Sequence, residues 1–457
     1  VLDPASLQNY DMSVRGGAEK FSYFLSGSYM DQKGVIKGSQ FERLALRANL
    51  NLDATEKLQL NFDINSAYGD HDRKAANAPY FGRPPGIIYS AMVASPVAKI
   101  YDDDGNYLQS GTSSINALGN GMTSSNHPLA IRDYIHDDLQ TGRVFGSVGA
   151  NYSILDNLGY NLLFGYDYDT SNRHFYQGTQ LMYRGSTTPQ PYAQAFSGQS
   201  YHWVLENTAV YNKSIGVHDF DVLVGYTAEK QFDETKYVIA RNFPDDQVTT
   251  INGGEVTGGA QEQQEWSLVS GLGRINYSLL NRYMATLTFR SDRSSRFGWG
   301  NQTGYFPSLS LGWQVTEEPF MEGVEFVSQL KPRVSYGVTG NFNIPNYGSI
   351  GLVGSSPYVL GGVLVPGATQ RTLGNEDLTW ETTKQLNVGR DIGALVGSET
   401  SDGRSFGKGD ASRKVGQARR TDRSRIGYAF KTRFGRTRRS LKSSSTLQEP
   451  VVSSIRS

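Results

Sequence analysis

The chain has 457 residues, and its 44 Lys+Arg are balanced by 44 Asp+Glu. It contains no cysteine, which excludes disulfides, thiolate metal sites and cysteine nucleophiles. Mean hydropathy is −0.46, and no apolar run reaches the roughly 18 residues of a transmembrane helix; alternating barrel strands would average to the same polar value. The 51 glycines and 27 tyrosines suit strands joined by many turns. The start, VLDPASLQNY, shows no initiator Met, basic n-region or apolar h-region, so it reads as mid-protein sequence and not as a signal peptide.

Taken in chain order, two-residue alternation dominates. SYFLSGSYM (22–30) follows an expected turn over Gly16–Glu19. FERLALRANLNL (41–52) sets Leu44, Leu46, Ala48, Leu50 and Leu52 on one face, with Arg43, Arg47, Asn49 and Asn51 on the other. After a turn at 53–56, KLQLNFDINSAY (57–68) repeats the pattern, with Leu58, Leu60, Phe62, Ile64 and Tyr68 against Gln59, Asn61, Asp63 and Asn65. Hairpins are predicted for 144–152 with 158–169, for 201–213 with 220–230, and for 268–280 with 283–291. Strands at 305–315, 330–340 and 378–389 follow, for about thirteen in all. EEPFMEGVEFVSQL (317–330) is the one helix-like stretch, with Phe320, Val324 and Val327 at i, i+4 and i+7.

The expected connections alternate in length. Tight turns at 53–56, 155–157, 214–218 and 281–282 face long loops at 70–140, 170–200, 231–265, 292–304 and 341–377. That is the layout of an outer-membrane barrel, and each run is long enough to cross a bilayer obliquely. A soluble β-protein with a solvated outer face stands as the alternative.

Few segments invite a chemical reading. YDDDGNY (101–107) misses calcium-loop spacing, because Ile100 stands at the first ligand position that Gly105 implies; it reads as a turn. RSDRSSRFGWGN (290–301) reads as a strand end with a polar loop, and RPPGIIY (83–89) as a rigid loop element. The six His fall in no metal-binding spacing. No catalytic, cofactor-binding or metal-ligating residue is assigned, no cofactor is expected, and the chain is not read as an enzyme.

Several segments resemble, in order, the SusC/RagA-type TonB-dependent outer-membrane transporters. Residues 8–52 (QNYDMSVRGG…LRANLNL) are similar to the first barrel strands after the plug domain. The block 273–321 (GRINYSLLNRYMATLTFRSDRSSRFGWGN…EEPFM) resembles a well-marked mid-barrel region, and 330–347 and 373–389 resemble later strands. The resemblance covers about residues 1–393. It implies an all-β antiparallel transmembrane barrel, here about 13 of an expected 22 strands, with signal peptide, TonB box and plug domain absent. It also implies a transporter of oligosaccharides or peptides in the outer membrane of a Gram-negative bacterium, with a receptor or adhesin barrel without transport, or a soluble β-rich binding protein, as the alternatives. The implied partners are a SusD-like surface lipoprotein, the TonB complex and outer-membrane lipid. Substrate-binding residues are left unassigned, with loops 70–140 and 170–200 the first places to look.

The balanced charge hides an asymmetry. Residues 390–457 hold 16 Lys+Arg against 6 Asp+Glu, a net of +10, which leaves −10 for residues 1–389. The segment 394–457 has no two-residue alternation, is rich in Arg and Ser, and is expected to be foreign to the barrel: out of frame, or without packed structure. A basic arm for nucleic acid or anionic lipid is the rival reading of that segment, and nucleic acid is not among the expected partners.

Overall fold

The computed structural model describes residues 2–74, 86–93, 100–101, 103–107, 127–181, 190–324 and 326–394. Its centre is one antiparallel sheet of thirteen strands in sequence order. The first twelve are β1 (Leu7–Ala18), β2 (Phe21–Lys33), β3 (Gln40–Asp53), β4 (Leu58–Asp72), β5 (Ile135–Leu155), β6 (Leu158–Gln177), β7 (Tyr192–Ile215), β8 (His218–Arg241), β9 (Glu255–Leu279), β10 (Tyr283–Ser294), β11 (Thr303–Trp313) and β12 (Val327–Asn341). Two small hairpin-like pairs follow, formed by β13 (Val353–Ser355) with β16 (Ala368–Gln370) and by β14 (Tyr358–Leu360) with β15 (Val363–Val365). The thirteenth wall strand is β17 (Glu381–Ala394). Among the described residues β1 and β17 each pair on one side only, so the sheet is an open part of a barrel.

The register makes the two faces legible. Leu50, Phe62, Val148, Phe164, Leu205, Ala228 and Val269 lie directly opposite one another across seven strands. One residue away, Asn51, Asn61, Gly149, Leu163, Glu206, Thr227 and Ser270 form the matching row on the other face. The first face is the lipid-facing exterior, because only hydrocarbon satisfies so broad an apolar surface; the second faces the lumen. Leu44, Leu46, Leu50 and Phe62 are accordingly exposed on the protein surface. On the lumen side Asn49 donates to the Asp63 carboxylate, and Arg47 donates to Asn49 at 2.9 Å.

Because lipid takes the place of a core, the buried apolar clusters among the described residues gather toward one end of the wall and the connections there. One joins Ile36 and Leu181 to the helices α1 (Ile87–Val93) and α2 (Pro128–Tyr134), through Ile87, Ala130 and Ile131. A second holds Tyr176, Ala193, Ala240 and Phe243, and a third Trp266, Leu268, Phe297, Phe306 and Trp380. All three sit at the end of the wall carrying the long connections. Asp246 ties two of those connections together by accepting from Tyr176 Oη at 2.7 Å and from Thr179 Oγ1 at 2.8 Å.

Four expectations need correction. Gly16, Gly17 and Ala18 are not a turn but the end of β1, and the turn is Glu19–Lys20. A Cβ on Gly17 would lie 2.5 Å from the Phe21 carbonyl oxygen, so glycine there permits close approach of backbone. Segment 317–330 is not a helix. It holds two short 3-10 turns, Val315–Glu317 and Pro319–Met321, and then enters β12. Pro319 and the positive φ of Gly323 stop any longer helix, and Phe320 has no apolar core to face. The 3-10 segment is instead held by Glu318, which accepts from Tyr283 Oη at 2.6 Å and Trp313 Nε1 at 2.9 Å. The loops expected at 170–200 and 231–265 are also much shorter, because β6, β7, β8 and β9 continue far past the apolar stripe. The turn 281–282 begins one residue earlier, with Leu280 and Asn281 both at positive φ.

Candidate functional site

The lumen face carries the chemistry. Strands β5 to β9 run for 20–25 residues, about twice the roughly 9–11 that an oblique crossing needs. Their upper halves therefore stand clear of the hydrocarbon and enclose the approach to the lumen. On this inner surface lies a trough of 520 Å³. Its floor is one cross-strand row, Gly69–Thr141–Ser171–Gly198–Thr235, set by the pairing of β4 through β8. The floor is deep because Gly69 and Gly198 carry no side chain: a Cβ on either would come within 3.0 Å of a hydroxyl oxygen, of Thr141 or Ser171. The rings of Phe41 and Phe196 rise beside it.

Charge is arranged on both long edges. Along the lower edge the Arg143 guanidinium makes a bidentate pair with Asp167, at 3.0 and 2.6 Å, and lies 3.7 Å from Asp169. Along the upper edge the Asp137 carboxylate is shared by two guanidinium groups. Arg73 reaches it at 2.7 Å, and Arg173 at 2.7 and 3.0 Å. The Arg173 guanidinium also lies 5.2 Å from the Phe175 ring centroid, which fixes its direction. Nearby, His202 is 3.2 Å from Glu229, and Arg296 covers the rings of Trp266 and Phe342.

The exterior changes character at about the same level. Below it stand Tyr201 and Phe232, stacked at 4.9 Å, and above it Glu234 gathers four donors. These are Gln199, Gln261 and Gln263, each at 2.6 Å, and Lys236 at 2.7 Å. The Lys236 ammonium first, then Gln263 and the other amides, push the Glu234 carboxyl down to about 2 from the usual 4.5. A lowered folded-state value means that this patch stabilises the fold fully above pH ~4.5 and loses that contribution as pH falls toward 2. Thermal unfolding of the complete transporter across pH 6 to 3 is expected to fall more steeply for the native protein than for Glu234→Gln. Parallel curves would remove Glu234 from the account.

Of the segments weighed in the sequence, 101–107 is a turn, with Tyr101 bridging Tyr107 and Gly105 at positive φ; residue 102 lies outside the described residues. Segment 290–301 is the end of β10 and a polar connection. Residues 83–85 of RPPGIIY lie outside the described residues, and Ile87–Tyr89 open α1. Of loop 70–140, residues 75–85, 94–99, 102 and 108–126 lie outside the described residues, as do 182–189 of loop 170–200. The charged edges of the trough were not singled out in the sequence. Alternation placed Arg143, Asp167 and Asp169 near predicted strands, but only the register shows that Arg73, Asp137 and Arg173 converge.

A model of the TonB-dependent receptor-like β-barrel matches residues 99–394. The chain belongs to that family. It is 29% identical over 399 residues to TonB-dependent receptor P3 of Formosa agariphila, covering 86% of this chain and 38% of the relative. It is also 29% identical over 422 residues to TonB-dependent receptor SusC of Bacteroides thetaiotaomicron, covering 86% and 40%. The RagAB peptide transporter structure superposes with a TM-score of 0.70 at 22% identity, over 85% of this chain and 42% of that one. The likeness to RagAB is one of fold. The chain thus spans about two-fifths of the length of the relatives it matches. Members of this family of receptors and transporters are β-barrels of the Gram-negative outer membrane, which accounts for the lipid-facing stripe.

Proposed function

We propose that this chain is the wall portion of an outer-membrane active transporter that imports oligosaccharides or peptides. Energy would come from the TonB complex, and a SusD-like surface lipoprotein would present the substrate. The observation that carries the reading is the two-faced wall: an apolar exterior, and a lumen face lined with hydroxyl, amide and paired charged groups. Such a lumen suits passage of a polar, hydrogen-bonding chain. The RagAB structure, named as that of a peptide transporter, supports peptide as a cargo class.

The test is uptake by cells carrying the complete transporter with its adjacent lipoprotein. Labelled oligosaccharide or peptide is expected to accumulate only when TonB is present and the proton gradient is intact. Binding at the surface with no TonB-dependent accumulation would instead establish a receptor or adhesin barrel, and recovery of the protein from the aqueous fraction would contradict both.

The same reading divides the chain near residue 393, supported by the end of the family match at 394. The basic segment, apart from Ala394, lies outside the described residues. Translation of the coding DNA beyond Gly389 in its other two frames is expected to give further alternating strands. Absence of alternation in both frames would contradict a foreign tail.

A further inference from the structure

We propose that the lumen trough is a charge-ordered binding site for a short peptide with free termini. It would hold the carboxylate against Arg73 and Arg173 and the ammonium against Asp167 and Asp169. The proposal rests on the transport reading above and adds to it a place, a ligand class and an orientation.

The charge count on each edge is the starting point. On the upper edge two guanidinium groups share one carboxylate, which leaves a residual positive charge. Asp137 is largely covered, and its two oxygens already accept three N–H groups. The Arg73 Nε is buried without a hydrogen-bond partner, while each Arg side chain as a whole keeps about a third of its surface open. On the lower edge the stoichiometry is inverted: one guanidinium lies between two carboxylates, which leaves a residual negative charge. Asp169 is half exposed, with the Arg143 guanidinium 3.7 Å away. The two edges therefore face each other as opposite poles across a floor of glycine, serine and threonine, with Asp233 adding to the negative edge and Arg43 standing at the β3 end of the floor row.

The spacing selects the ligand. Asp169, Ser171 and Arg173 lie on the same face of β6, so the poles are four residues apart, roughly 13 Å at the rise of a strand. An extended peptide of about four residues separates its terminal ammonium and carboxylate by a similar span. A polyanion would gain at one edge and lose at the other, and a neutral saccharide would match neither pole. Strand addition is closed to any ligand here, because every wall strand bordering the trough is already paired on both sides. Recognition must come from side chains, and the hydroxyls of Thr141, Ser171 and Thr235 supply donors and acceptors for the peptide groups between the ends. Bidentate guanidinium–carboxylate pairing at the upper edge supplies both strength and direction.

Calorimetry on the complete transporter tests this with tetra-alanine in four forms: free, N-acetylated, C-amidated and blocked at both ends. Maltotetraose serves as the neutral saccharide. The free peptide is expected to bind, and blocking either end to weaken it at least tenfold. Arg173→Gln should weaken the free peptide tenfold or more yet leave the C-amide unchanged, and Asp169→Asn should behave likewise toward the N-acetyl form. Arg173→Lys, which keeps the charge, should recover part of the loss, and separates binding from a folding defect. Equal affinity for all four peptides, tighter binding of maltotetraose, or no binding of any peptide would overturn the proposal. TonB-dependent saccharide uptake untouched by Arg173→Gln would sink the peptide site and leave the transport reading standing. Uptake that no longer needed TonB would sink the transport reading itself.

Discussion

Replacing Val148 with arginine is expected to destabilise the barrel by about 2–4 kcal/mol. Val148 lies in the middle of the exterior row, between Phe62 and Phe164, on strands paired on both sides. A guanidinium there would be placed in hydrocarbon, where neither water nor a protein partner meets it. Arginine at Asn61 should cost less than about 1 kcal/mol, because that side chain points to the wet lumen, opposite Asn51 and Gly149. Urea unfolding of the complete transporter in lipid vesicles measures both. Equal penalties at the two sites would contradict the assignment of faces; a soluble sandwich with its core on the Val148 side would show the same order in vesicles but would also unfold cooperatively without lipid.

The second large effect lies outside the membrane. Trp380→Ala is expected to remove about 3–5 kcal/mol of local stability at the long-loop end. Trp380 is 8% exposed, and its ring centroid lies 4.9 Å from Phe297 and 5.2 Å from Phe306. Its Nε1 donates to the Gln302 carbonyl at 2.9 Å, so truncation leaves a cavity and removes one of the two hydrogen bonds that carbonyl accepts, the other coming from Ser294 N–H. Hydrogen exchange should quicken across 295–302 and 342–380 while β5 to β8 stay protected. Uniform quickening through the wall would show instead that this cluster sets global stability, against a barrel held together by its strand pairing.

Much of the wall was legible from alternation, because a lipid-facing strand must be apolar on one side and cannot be on the other. The hairpin built on Leu44–Leu52 and Leu58–Tyr68 was read that way, and the structure pairs the two strands antiparallel. Alternation failed where that contrast ended. Above the hydrocarbon both faces of β6 to β9 meet water, so Thr170–Gln177 and Gln231–Arg241 lose their apolar beat while staying in the sheet. β1 was missed for a related reason: Gly16 and Gly17 look like a turn in sequence but serve close backbone approach. The helical spacing of Phe320, Val324 and Val327 misled in the opposite sense, since periodicity shows a face and not whether anything packs against it.

The sequence by itself determined the class of the protein. A two-residue period is a local property, set by a strand meeting lipid on one side, and short turns alternating with longer connections belong to the same barrel layout. Only the tertiary structure decided the site. Arg73 follows β4, Asp137 lies on β5 and Arg173 on β6, the glycines and hydroxyls of the trough floor come from five strands, and no spacing along the chain records which of them will be neighbours. Cross-strand register brings them together, and register is fixed by the exterior: slipping one strand by one residue would turn its apolar side chains into the lumen. The charged trough on the inside is thus held in place by the lipid-facing rows on the outside.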